Sequence, residues 1–295
     1  MTSRFQPRFA TTPSRVSRWR STIVLAVASL IGLACFLYPF ILPIGNRLTD
    51  ENSAHASLAP LLFAAVIGVC LLAVLVTMAE EGGVSRSRSV ALLGVLVAVD
   101  ATLRLVPSIL GASTIFLLII LVGVVFGSAF GFQMGVLTLL FSALITGGIG
   151  PWLPFQMLGA GWVGLSAGWL PNRGPMPVRI AAIALFGALW GFLFGALMNL
   201  WFWPFAAPGV GADAGLYWSP ELGPGETVVR YLRFYAVTSL GFDVARAVGN
   251  IVLVFLFGAP ILRLLERYRS RFTWQPWTEL RSDVDEPWPT PAPPG

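Results

Sequence analysis

The chain has no lysine; all nineteen of its basic side chains are arginine. That absence disposes of the one stretch that resembles a phosphate loop. Residues 146–150, TGGIG, are followed by no lysine and preceded by no strand, so an ATP site inside this chain is not supported. Histidine is nearly missing too: only His55 occurs, in a polar loop. The two cysteines, Cys35 and Cys70, lie inside apolar runs, where a thiol acts as a small hydrophobe. With so few ligating and basic groups, neither a metal cluster nor a Ser-His-Asp triad can be assembled. Charge is scarce as well, at 11 % of residues, against roughly 25 % in soluble domains.

What remains is apolar. Hydrophobic residues make up 56 % of the chain and mean hydropathy is +0.77. A soluble domain cannot bury that much, so the expectation is an all-α integral membrane protein. The net charge of +5 sits at the ends of apolar spans rather than in a nucleic-acid patch, so the partner is the lipid bilayer and no nucleic acid is expected.

Hydropathy divides the chain into four regions. Residues 1–20 are a basic segment with Arg4, Arg8, Arg15, Arg18 and Arg20. Residues 21–80 hold two spans, at 22–42 and 58–78; the first is too long for a signal core and lacks a small-residue cleavage site. Residues 86–271 hold six more spans, at 89–106, 114–126, 132–145, 152–170, 179–203 and 231–261, with a tight turn at 127–131. Residues 272–295 are a Pro-rich tail expected to be disordered. The fourth and fifth spans fall short of the ~20 residues a crossing needs. Tilt, a thinned bilayer or a single re-entrant hairpin would each accommodate them.

Eight crossings with a cytoplasmic N-terminus put the N-terminal arginines, Arg86, Arg88, Arg173, Arg179 and the C-terminal group on the cytoplasmic side. Arg47, Arg230 and most loop acids fall outside, as the positive-inside rule requires. Both termini are then cytoplasmic, in a multi-pass protein of the cell membrane.

Ionisable groups within spans cost about 2.5–3.5 kcal/mol each on insertion scales and mark pairing or function. Asp100 and Arg104 stand one turn apart on the third span, and Asp243 and Arg246 about one turn apart on the eighth. Each pair either neutralises its own helix or joins the other in one intramembrane charge network. Asn199 and Asn250 add amides that bond a neighbouring backbone or a ligand. Aromatic residues gather near the outer span ends: Trp152, Phe155, Trp201, Trp203, Tyr217, Trp218, Tyr231 and Tyr235. They fit an interfacial belt or a stacking platform. Small residues recur every fourth position at Gly94, Ala98 and Thr102, and at Gly187, Gly191 and Gly195, the spacing that lets helices approach closely in lipid.

Three segments together resemble the S component of energy-coupling factor (ECF) vitamin transporters. They are SVALLGVLVAVDATLRLVP, LVGVVFGSAFGFQMGVLTLLFSALITGG and GIGPWLPFQMLGAGWVGLSAG. The third is similar to a G-x-G-P-W-x-P-x-Q-M signature of members associated with cobalamin or related vitamins. The resemblance covers the last six spans and leaves the first two outside the six-helix unit. It implies a substrate-binding membrane subunit with no enzymatic activity and no bound cofactor. Such a subunit captures a vitamin-like small molecule outside and delivers it to a transmembrane coupling subunit and two ATPase subunits, which use the ATP. It further implies a substrate pocket at Arg104, Trp152, Gln156, Asn199 and Asp243, and coupling-subunit docking on Gly94, Ala98 and Thr102. A structural or assembly protein built on helix packing and a self-contained secondary transporter are the alternatives.

Overall fold

The computed structural model describes residues 15–41, 52–79, 83–106, 113–206, 215–219 and 221–271. The basic segment to residue 14 and the Pro-rich tail lie outside the described residues. Those residues fold into helices without a strand among them. In chain order these are α1 (Arg15–Ile41), α2 (Asn52–Ala79), α3 (Gly83–Leu103), α4 (Ile115–Phe126), α5 (Ser128–Thr146), α6 (Leu153–Ala167), α7 (Met176–Phe202), α8 (Pro224–Thr238), α9 (Leu240–Leu253) and α10 (Ala259–Arg271). Among the described residues, four stretches are long and apolar enough to cross a membrane: Trp19–Phe40, Ser128–Thr146, Met176–Phe205 and Leu240–Ser270.

The bundle is built around α4. Every residue of α4 from Ile115 to Val125 is buried. Its twelve residues give a rod of only ~18 Å, short against a ~30 Å hydrocarbon layer. Its shortness goes with enclosure by the other helices on every side. The expected turn at 127–131 is confined to Gly127, whose φ of 96° suits glycine alone. Helix α5 starts at once, at Ser128, and is consequently longer than hydropathy alone indicates.

Helices α5 and α6 meet backbone to backbone. A β-carbon on Gly135 would overlap the Ala160 carbonyl, and one on Gly164 would overlap the Gly131 carbonyl. Small residues are needed there because the two helices leave no room for side chains between them. Polar side chains of α5 reach outward to other helices: Gln133 donates to Thr77 of α2 at 2.8 Å, and Thr138 donates to Asp100 of α3 at 3.1 Å.

The first two helices pack onto the rest of the bundle. The Trp162 indole N–H of α6 donates to the Ser29 hydroxyl of α1 at 2.9 Å. Phe36 of α1 meets Phe155 of α6 edge to face, with centroids 4.9 Å apart. A β-carbon on Gly32 would overlap the Leu158 side chain, so α1 and α6 are in intimate contact there.

The expected eighth span, 231–261, is two elements. Helix α8 ends at Thr238, and Ser239 leaves the helical region at φ −127°. The following span begins at Leu240 and runs to Ser270 through a π-helical turn at Val254–Gly258. Pro260 follows that turn; it has no N–H to donate, and its ring crowds the carbonyl four residues back, so a wider turn relieves it.

The contacts fix helix ends. Thr114, before α4, donates to the Leu103 carbonyl at the end of α3 (2.9 Å). Trp201 at the end of α7 lies beside Phe155 at the start of α6, with centroids 5.3 Å apart. One end of the bundle thus gathers the ends of α3, α5 and α7 and the starts of α4, α6 and α9. At the opposite end, Arg179 of α7 pairs with Glu266 of α10 at 2.6 Å, and Arg269 donates to the Val125 carbonyl at the end of α4.

Candidate functional site

Helices α3 and α5 run side by side in the same direction, and their polar groups match at one spacing. Asp100, in the last turn of α3, and Arg104, just past its end, are four residues apart; Thr138 and Ser142 are four apart on α5. Residues four apart share a helix face. Thr138 donates to Asp100 Oδ2 (3.1 Å), and Arg104 Nη1 donates to the Ser142 hydroxyl oxygen (2.8 Å). The Ser142 proton goes to the Leu139 carbonyl (3.0 Å), which leaves the oxygen's lone pairs for the guanidinium. Arg104 Nη2 reaches Gln156 Oε1 of α6 at 3.4 Å. Arg104 and Gln156 are half-buried, so this cluster lies at the edge of the bundle end rather than in its centre.

Asp100 is different. It is 0 % exposed, and among the described residues its Oδ1 has no hydrogen-bond partner. The intrahelical Asp100–Arg104 ion pair that the sequence suggests does not form, because Arg104 turns to Ser142 and Gln156 instead.

Asp243 and Arg246 do pair within their own helix. The Ser239 hydroxyl donates to Asp243 (3.1 Å), and Arg246 donates to the Gly191 carbonyl of α7 (3.0 Å) while lying 5.7 Å from the Phe194 ring centroid. Asn250 donates to the Gly187 carbonyl (2.8 Å). The glycines at 187, 191 and 195 thus form the floor on which Asn250, Ala247 and Asp243 of α9 rest. A β-carbon on Gly195 would overlap the Asp243 carboxylate. Asp243 is 0 % exposed and bonded on both sides, which makes it a packing residue of the α7–α9 seam.

The four charged residues therefore do not form one network. Asp100 and Arg104 belong to the α3–α5–α6 junction, whereas Asp243 and Arg246 belong to the α7–α9 seam. Of the five expected pocket residues, Arg104 and Gln156 are brought together. Trp152 stands one turn before Gln156, 43 % exposed at the rim. Asn199 donates to Thr238 at 3.3 Å, across the junction of α7 and α8. Asp243 lies in the seam just described.

The aromatic residues pack against one another. Trp203 is 1 % exposed, donates its indole N–H to the Leu216 carbonyl (2.9 Å), and touches Phe40, Tyr231 and Phe234. Phe155 lies between Phe36 and Trp201. This cluster is a wall of the bundle end, with α1 supplying Phe36 and Phe40. Neither those two rings nor the hydroxyls of Thr138 and Ser142 stand out in the sequence. The hydroxyls left one legible trace, the four-residue spacing that repeats that of Asp100 and Arg104.

On the outer face of α3, Gly94, Ala98 and Thr102 are exposed. They border an apolar groove of about 440 Å³ shared with Met78, Leu137 and Phe141. Nothing lies within 4 Å of a β-carbon placed on Gly94. Comparisons with family models, with curated proteins and with solved structures return no match.

Proposed function

We propose that the chain is the substrate-binding membrane subunit of an ATP-driven importer of the ECF type. It captures a vitamin-like small molecule at the end of the bundle that holds Arg104 and Gln156. One observation carries the reading: a half-buried arginine and the glutamine of the GPWLPFQM segment converge from separate helices beside Ser142. A guanidinium held by neutral groups in an apolar bundle is costly unless it serves a ligand. The exposed small-residue face of α3 supports docking of a transmembrane coupling subunit, because small residues permit close helix approach in lipid. ATP hydrolysis is assigned to two further subunits, and eight crossings with cytoplasmic termini follow from the arginine distribution. The lean toward cobalamin or a related vitamin comes from the motif resemblance.

The test is ligand binding by the full chain in lipid nanodiscs, read by tryptophan fluorescence over a vitamin panel. Binding is expected, with at least a tenfold loss in Gln156→Ala, the size of one good polar contact. No binding by any vitamin, with no small molecule co-purifying by mass spectrometry, would overturn the proposal.

A helix-packing assembly protein is the second reading. It is favoured by the consumption of Asp243 and Asn250 in seams between helices. It expects unchanged partner association when Arg104 and Gln156 are both replaced by alanine.

A further inference from the structure

We infer that the ligand taken at the Arg104 site carries an anionic group, a carboxylate or a phosphate, seated on the Arg104 guanidinium; the inference rests on the binding-subunit reading above. Arginine presents five N–H donors in a planar fork that matches a carboxylate or phosphate. Among the described residues Arg104 donates only to neutral acceptors, the Ser142 hydroxyl at 2.8 Å and the Gln156 amide oxygen at 3.4 Å. Of the other arginines bonded between helices, Arg269 donates to the Val125 carbonyl at the opposite end of the bundle, and two hold carboxylates. Arg179 holds the Glu266 carboxylate and Arg246 holds that of Asp243.

A carboxylate is at hand and is not used. Asp100 sits one turn before Arg104, deeper in the same seam, yet it accepts from Thr138 and, among the described residues, keeps Oδ1 unpartnered at 0 % exposure. The seam therefore holds a cation at its mouth without a bonded counter-ion among the described residues. The ligand accordingly binds with its acidic end at Arg104, and Ser142 and Gln156 flank that end with neutral polar groups.

Matched probes separate the charge from the rest of the molecule: nicotinate against nicotinamide, pyridoxal 5′-phosphate against pyridoxal, and flavin mononucleotide against riboflavin. They are titrated against the full chain in nanodiscs, alongside mass spectrometry of any co-purified molecule. The anionic member of a pair is expected to bind about tenfold tighter, as charge-assisted hydrogen bonds exceed neutral ones. Arg104→Gln should erase the preference while Arg104→Lys retains most of it. Equal or tighter binding of the neutral members overturns the inference and leaves the binding-subunit reading standing. So does a preference that survives in Arg104→Gln. If no probe binds, the charge of the co-purified molecule decides: an anion supports the inference and a neutral or cationic molecule overturns it. No probe binding and no co-purified molecule removes the binding-subunit reading itself, and the inference with it. Should Arg104→Gln fail to run as a single species on size exclusion, the wild-type preference and its retention in Arg104→Lys still decide.

Discussion

Arg104 and Arg246 have opposite surroundings: Arg104 donates to the neutral Ser142 and Gln156 at the edge of the bundle end. Arg246 is tied to Asp243, to the Gly191 carbonyl and to the Phe194 face, and its acid has no exposure at all. Removing one partner of such a pair leaves the other charge buried without compensation, which costs about 3–5 kcal/mol. Asp243→Asn is therefore expected to lower stability by about that amount in unfolding measured in detergent, while ligand affinity stays at the wild-type level. A variant as stable as wild type would show that the pair does not hold α9 to α7. Charged residues stood out in the sequence because so few interrupt its apolar runs. Their partners did not stand out, for a physical reason. Serine and threonine in apolar helices commonly bond their own backbone, as Thr102 does with the Ala98 carbonyl at 2.7 Å, so a hydroxyl carries little signal by itself. Whether Asp243 met a ligand or a glycine floor depended on which face of α9 met α7, and a single charged position does not carry that information.

At the scale of elements, most helices were legible from hydropathy, and the misreadings have specific causes. The turn placed at 127–131 was too long because GSAFG contains two glycines, only one of which needs a positive φ. Gly131 is there for space: its β-carbon would strike the Gly164 backbone. The break at Ser239 escaped notice because the residues around it are apolar enough to continue a span; the backbone angle of one serine separates α8 from α9. Shortness in α4 was visible, but enclosure was not, since periodicity vanishes when every face is buried. The α5–α6 contact gives the sharpest element-scale expectation. Gly164→Val would place a branched side chain against the Gly131 carbonyl, where only backbone could yield. Overpacking of this kind costs about 1–3 kcal/mol. The thermal midpoint in detergent should fall accordingly, and an unchanged midpoint would mean that the two helices separate freely.

For the whole molecule, α1 and α2 join the other eight helices in one body. Ser29 accepts from Trp162, Phe36 packs on Phe155, Phe40 stacks near Trp203, and Thr77 accepts from Gln133. Deleting residues 1–80 would strip these partners and leave the Trp162 and Gln133 donors unpaired, at about 1–3 kcal/mol for each buried group. The shortened chain is expected to lose its single symmetric peak on size exclusion; a monodisperse, ligand-binding fragment would instead make the two helices an accessory. The enclosure of α4 also bears on how the protein is made. Several of its neighbours come late in the chain: Phe194 of α7 lies over Phe116, and Arg269, near the end of α10, bonds the Val125 carbonyl. The ribosome must deliver residue 269 before the helix that emerged fourth has its last partner. Until then the most apolar segment of the chain waits on helices not yet synthesised, so premature termination anywhere before α10 leaves the centre of the bundle open to the insertion and quality-control machinery.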